Sequence, residues 1–203
     1  MTRMPILVNR SARSLLLAAA AVLVGAGCAP AWTVVKQANP NPITPQTSLA
    51  VEPIRFEGLM VGKKTEEAYL ADKKPEQQES WKSDLAAMQQ IFSSTLVEQA
   101  KGLQVVAGAP EQGGPYLIKP AVTFIEPGVF TAMFNIPSQV HMTLQVADPQ
   151  GAVVDEIRMK VSVAPGNIMG VPTMVSVGER LRECAKRLAK LTAMYLRQRA
   201  GVK

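Results

Sequence analysis

Histidine occurs once and cysteine twice in this 203-residue chain, and aromatic residues make up only 5% of it. A single histidine excludes His-rich metal sites and the H-E-x-x-H arrangement, which needs two. Two cysteines are too few for a disulfide framework. No G-x-S-x-G elbow, Walker loop or G-x-G-x-x-G run is present, so no nucleotide or other cofactor and no metal is expected. Carboxylates are also badly placed for acid–base work. Asp155 and Glu156 are neighbours in a predicted strand, where successive side chains point to opposite faces. Glu66 and Glu67 lie in a charged connection and read as a solvated pair. His141 falls on the polar phase of a strand and Cys184 on the apolar face of a helix. The simplest reading of the first is a solvated side chain, and of the second a small hydrophobe. A His141–Cys184 pair is the one catalytic alternative, and nothing local supports it.

Long apolar runs are missing too, and the one that stands out is short. Leu15 to Val24 gives about ten apolar residues behind Arg3, Arg10 and Arg13. That length fits the h-region of a secretion signal; a spanning helix takes about 20 residues. Gly25, Ala26 and Gly27 follow, and then Cys28. A cysteine directly after small residues at the end of an h-region resembles the lipobox of bacterial lipoproteins, although Gly25 stands where that family usually has Leu or Val. The resemblance covers residues 1–28 and implies cleavage after residue 27, a diacylglycerol on the Cys28 sulfur and acylation of its new amine. Two or more chains anchor stably where one holds only marginally. Ala29 in place of Asp implies, by the sorting rule of enteric-type lipoproteins, the outer membrane facing the periplasm.

The formal charge of +6 falls to +3 once the three arginines of the leader are set aside. No nucleic-acid partner is expected on that balance. Cys28 is taken by lipid in this reading, which leaves Cys184 without an intramolecular partner. Residues 28–47 hold four prolines, two of them in Asn-Pro steps, and read as a lipidated cysteine with a semi-extended tether. At ~3.3 Å per residue the tether reaches some tens of ångströms. Trp32 to Val35 is expected to dock on the domain, with the membrane interface as the alternative. Residues 48–203 read as one domain.

Within it, Ser48 to Leu59 predicts a first strand, interrupted at Pro53, and Gly58 to Lys74 a charged connection with a helical turn. Pro75 to Lys101 predicts a helix whose apolar stripe is Trp81, Leu85, Met88, Phe92 and Leu96, widened by Ile91. Leu103 to Ala107 predicts a strand parallel to the first. Tyr116 to Glu126 predicts another, in which Pro120 signals an edge or a bulge. Ser138 to Ala147 and Val153 to Val163 alternate cleanly around an Asp148-Pro-Gln-Gly151 turn, one face buried and one wet. Ser176 with Glu179 predicts a capping box on the last helix, whose core face is Leu181, Cys184, Ala185, Leu188, Leu191 and Tyr195.

The expected fold is therefore α+β: a mixed, mostly antiparallel sheet of about five strands with two main helices on one face. The element order loosely resembles small α+β domains of envelope assembly lipoproteins, a likeness without a motif. Two surfaces are candidates for contact. Val129, Phe130, Met133, Phe134 and Ile136 sit in a connection unusually rich in apolar residues, which either caps the core or forms a patch for a protein partner or the membrane surface. Arg182, Lys186, Arg187 and Lys190 offer contact with an anionic envelope polymer or lipid phosphates, unless Glu179 and Glu183 compensate them. The function expected is a membrane-anchored envelope lipoprotein acting as a non-catalytic binding or assembly module. The alternatives are a lipid or small-ligand carrier, which requires a sizeable cavity between sheet and helices, and an envelope hydrolase with a dispersed site.

Overall fold

Clean two-residue alternation in two long strands, Ser138–Ala147 and Val153–Val163, sets the plane of the sheet. The computed structural model describes residues 31–108, 116–130, 135–164, 166–168, 171–173 and 176–202; the leader and Cys28 lie outside them. In chain order the elements are β1 (Trp32–Gln37), β2 (Ser48–Val51), β3 (Met60–Val61), β4 (Lys64–Thr65), α1 (Glu66–Ala71), α2 (Pro75–Gln99), β5 (Gln104–Ala107) and β6 (Tyr116–Glu126). They continue as β7 (Val129–Phe130), β8 (Asn135–Ile136), β9 (Ser138–Ala147), β10 (Val153–Val163), β11 (Gly166–Ile168), β12 (Val171–Thr173) and α3 (Val177–Ala200).

The main sheet is open and mixed, in the order β1-β10-β9-β6-β2-β5, with β3 and β4 attached beside β6. It has eight strands, more than the five expected. The additional three are β1, hidden in a Pro-rich stretch, and the two-residue β3 and β4, too short to show a period. As expected, β2 pairs with β5 in parallel, while β6, β9 and β10 are antiparallel. Pro120 lies in a central strand, between β2 and β9, so of the edge or bulge that it signals the structure shows the second: the β2 side of the ladder carries an extra residue there, and β6 shifts register against β9 between Val122 and Phe124. Glu52 N donates to Ile118 O at 2.9 Å and Arg55 N donates to Pro120 O at 2.9 Å. Pro53 falls inside that irregularity, so the missing donor of Pro120 faces a gap in the ladder instead of an unmet carbonyl.

The buried phase of the sheet is Ile118, Val122, Ile125, Val140, Met142, Leu144, Val146, Ile157, Met159 and Val161. α3 packs on β9 and β10, α2 on β5, and the two helices on each other. The expected stripe of α2, Trp81, Leu85, Met88, Phe92 and Leu96, is its buried face. α3 buries more than its expected stripe, since Ala189, Thr192, Ala193 and Leu196 are also covered. It is wedged between sheet and α2, so two of its sides are hidden. Its start is the expected capping box: Glu179 N donates to Ser176 Oγ at 3.2 Å and Ser176 N to Glu179 Oε2 at 2.9 Å.

Trp32 to Val35 docks on the domain, as expected, and the stretch read as a semi-extended tether is part of the domain from Trp32 onward. β1 pairs antiparallel with β10 from Trp32 opposite Met159 to Gln37 opposite Asp155. The Trp32 ring meets Tyr195 of α3 edge-on, 5.7 Å between centroids. Ile43 is buried, and Asn41 Nδ2 donates to Arg199 O at 2.5 Å. The prolines between these points bend the chain around the sheet edge; they do not hold it away.

Candidate functional site

No helix among the described residues covers the second face of the sheet. Along β10 the residues outward of the core are Glu156, Arg158, Lys160 and Ser162, as their phase predicts. Beside them on β9 stand Gln139, His141, Thr143 and Gln145. A groove of about 470 Å³ crosses this face at the start of β1, lined in part by Trp32, Thr33, Thr123, His141, Thr143, Arg158 and Lys160. No carboxylate is among its lining residues. Glu156, the nearest acid along β10, accepts Gln145 Nε2 at 2.7 Å. Neither Arg158 nor Lys160 has an ion-pair partner among the described residues.

His141 is half-buried in this groove, its ring tilted against Phe124 with 4.7 Å between centroids. Nε2 is buried and finds no hydrogen-bond partner among the described residues. Burial first, and then the charge of Lys160, hold its pKa below the ordinary histidine value. Cys184 sits on the other side of the sheet, fully buried in the core beneath α3. Burial pushes its thiol up to about 11, so it is protonated at neutral pH. The structure does not bring His141 and Cys184 together.

The connection after β6 is a β-hairpin arm. Val129 pairs with Ile136 and Phe130 with Asn135. The Val129 and Ile136 side chains oppose each other, each 43% exposed. The Phe130 side chain lies outside what the structure describes, as do Met133 and Phe134. The root of the arm is bolted to α3. Buried Arg180 donates from Nε to Ser138 Oγ at 2.9 Å and from Nη2 to Pro127 O at 3.2 Å, while Ser138 Oγ donates to Pro127 O at 2.6 Å. Gly128 has φ +77°, and a Cβ there would lie 2.5 Å from Ile136 O, so the arm's first turn is open only to glycine.

The cations of α3 do not act as one group. Arg182 Nη2 reaches Asp84 Oδ1 of α2 at 3.2 Å. Arg187 pairs with Glu183 at 3.1 Å and donates from Nη1 to Ser162 O at 2.9 Å. Lys186 and Lys190 are exposed. One buried cluster escaped the sequence reading altogether. Asp155, fully buried, accepts the Tyr195 hydroxyl at 2.6 Å, Arg199 Nε at 2.7 Å and Nη2 at 3.0 Å, and Ala38 N at 3.1 Å. The available signal was its phase: Asp155 falls on the side of β10 that carries Ile157 and Met159. No group of three or more His, Cys, Asp or Glu that could hold a metal occurs among the described residues, and no helix among them is long and apolar enough to cross a membrane.

No family model and no curated protein sequence matches this chain. Among solved structures it is similar in outline to a Xanthomonas campestris protein of the DUF330 family, with 10% identity and a TM-score of 0.49 over 83% of this chain and 94% of that one. It is also similar to the PelC dodecamer from Paraburkholderia phytofirmans, with 14% identity and a TM-score of 0.43 over 79% of this chain and 96% of that one. At such values these are likenesses of outline and carry nothing about what this chain binds.

Proposed function

We propose that this chain is a lipid-anchored protein of a bacterial envelope, held through Cys28 at the outer membrane, whose domain binds an anionic envelope component across its open sheet face without transforming it. The observation that carries the reading is the groove of the uncovered face, in which Arg158 and Lys160 stand beside three threonine hydroxyls and no carboxylate. Such a surface favours an oxyanion-bearing partner through charge and hydrogen bonding together. A bound oxyanion also gives the unpartnered His141 Nε2 an acceptor. Binding in place of catalysis is supported by the sheet that separates His141 from Cys184 and by the full engagement of Asp155 in its own ion pair. The anionic contact thus moves from α3, where Arg182 and Arg187 have protein partners, to β10.

The lone histidine is a built-in reporter. Untagged Cys28→Ser protein is titrated with polygalacturonate and separately with inorganic phosphate, following the His141 ring resonance against pH by NMR. Binding in the groove raises the His141 pKa toward or past its ordinary value, because the ligand offsets Lys160. The Arg158→Glu/Lys160→Glu variant, changed only at exposed positions, loses the effect. A His141 titration that neither polyanion nor phosphate moves sinks the reading of this face as an anion site.

A further inference from the structure

Sheet register brings four separate stretches to one end of the molecule. β6 finishes at Glu126 beside Gln139, near the start of β9, and Gln139 in turn pairs with Ser162 near the end of β10. The β7–β8 and β11–β12 hairpins both spring from that end. So does the β3–β4 turn that carries Lys63, since Val61 pairs with Ile125. β1 runs antiparallel to β10 and starts at Trp32 opposite Met159, so the chain itself enters the sheet from there.

Cys28 is four residues ahead of Trp32. A fully extended chain covers at most ~3.6 Å per residue, so a lipid on Cys28 holds Trp32 within about 14 Å. The headgroup zone on each side of a bilayer is itself about 5–8 Å thick. A leash of that length leaves this end of the sheet at the headgroups, with no room for an intervening layer of protein.

We propose that this end of the domain rests on the bilayer, with the β7–β8 arm in the headgroup layer of phosphate-bearing lipids. The inference rests on acylation of Cys28. Two further observations suit that occupant. Val129 and Ile136 present an exposed apolar pair at the arm's base, fixed in place by Arg180. Beneath Val129 is a cleft of about 420 Å³ whose charged lining is Lys63, Lys64 and Lys73 against Asp72 and Glu126. Of these, Lys64 pairs with Asp72, while Lys73 lies over the Tyr69 ring. An exposed apolar pair beside a cleft whose lysines outnumber its carboxylates by three to two matches the boundary between acyl chains and anionic headgroups. Of the two occupants that the sequence left open for an exposed arm, a protein partner and the membrane surface, this proposal takes the membrane, which leaves the open sheet face to the periplasmic ligand.

The test uses the full acylated chain, purified from membranes and reconstituted in vesicles of phosphatidylethanolamine and phosphatidylglycerol. Single cysteines at Val129→Cys, Ile136→Cys and Val106→Cys carry an environment-sensitive fluorophore; buried Cys184 does not compete for it. Val106 is exposed and lies level with Leu117, about 30 Å along the sheet from Glu126. The expected result is quenching of the labels at 129 and 136 by doxyl-labelled lipid at least about twofold above the label at 106, with protection from aqueous iodide. Equal iodide quenching at all three positions in vesicle-bound protein overturns the proposal and leaves the anchor standing. Protection from both quenchers means the arm is buried against protein, which also overturns it. An intact mass without acyl chains on Cys28 is read separately and removes the anchor and this proposal together.

Discussion

Asp155 and Arg199 meet side-on, Nε to Oδ2 at 2.7 Å and Nη2 to Oδ1 at 3.0 Å, joining the first residues of β10 to the last turn of α3. The same guanidinium donates from Nη2 to Ala38 O at 3.1 Å, and Asp155 Oδ1 accepts Ala38 N at 3.1 Å. One buried ion pair therefore clasps the segment that follows β1. It also helps to explain why this Pro-rich stretch, with Pro40 exposed and Pro42 and Pro45 half-buried, lies against the domain.

Asp155→Asn keeps the shape and removes the charge, leaving Arg199 without its counter-ion in a site only 13% exposed. A broken buried pair costs about 3–5 kcal/mol, and urea denaturation is expected to show a loss of about 3 kcal/mol. Hydrogen exchange over residues 32–38 should rise by more than in β9. A loss below about 1 kcal/mol with unchanged exchange in β1 would mean the clasp does not hold that strand.

A second contact sets how closely α2 and α3 approach. A Cβ on Gly178 would lie 2.1 Å from Asp84 Oδ1, and that carboxylate is held by Arg182. Gly178→Ala is expected to destabilise by about 1–3 kcal/mol through overpacking. Asp84→Ala makes room, so the double variant should recover most of the Gly178→Ala cost, a coupling that a double-mutant cycle measures. Additive losses would show that the cost comes from elsewhere than Asp84.

Local periodicity made a good part of this fold legible. The stripe of α2 and the alternation of β9 and β10 were readable because one face of each is buried and the pattern repeats over ten or more residues. β1 was not readable. Its Trp-Thr-Val-Val core is β-prone, but the composition around it is dominated by Pro30, Pro40, Pro42 and Pro45, and its partner strand lies more than a hundred residues away. The candidate site divided in the same way. Arg158 and Lys160 on an outward phase follow from the pattern of β10 alone. Whether Arg182 is free or paired depends on Asp84 in another helix, which no local pattern reports.

The capping box of α3 joins stability to acid. Hydrogen bonds from Ser176, from its backbone first, hold the Glu179 carboxyl below the ordinary value. A depressed carboxyl contributes stability above its unfolded pKa and loses it as pH falls through the folded one. Ser176→Ala removes both hydrogen bonds of the hydroxyl, the one accepted from Glu179 N and the one donated to Glu179 Oε2, and is expected to cost about 1 kcal/mol at neutral pH. It should also shrink the acid-linked loss below about pH 4.5, the carboxyl's ordinary value. An unchanged acid limb in Ser176→Ala would detach that limb from this cap.

The alkaline limb has a different source, and its sign is opposite. Cys184 is raised from 9.0 to about 11 by burial, and Tyr195 is raised by burial and then by its hydrogen bond to Asp155. Groups raised on folding contribute stability that is complete below the unfolded pKa and lost as pH climbs through the folded one. Stability should therefore begin to fall near pH 9, as the unfolded chain releases the cysteine proton while the folded chain keeps it. One group in that window gives about 1.4 kcal/mol per pH unit. Cys184→Ala, which removes a sulfur from a fully buried position, should lower stability at pH 7 and flatten the decline between pH 9 and 11. The residual slope at higher pH should then shrink in Tyr195→Phe, leaving the part that Tyr69, also raised by burial, contributes. A Cys184→Ala curve parallel to that of the native protein from pH 7 to 11 would show that the buried thiol is not what the folded state keeps protonated.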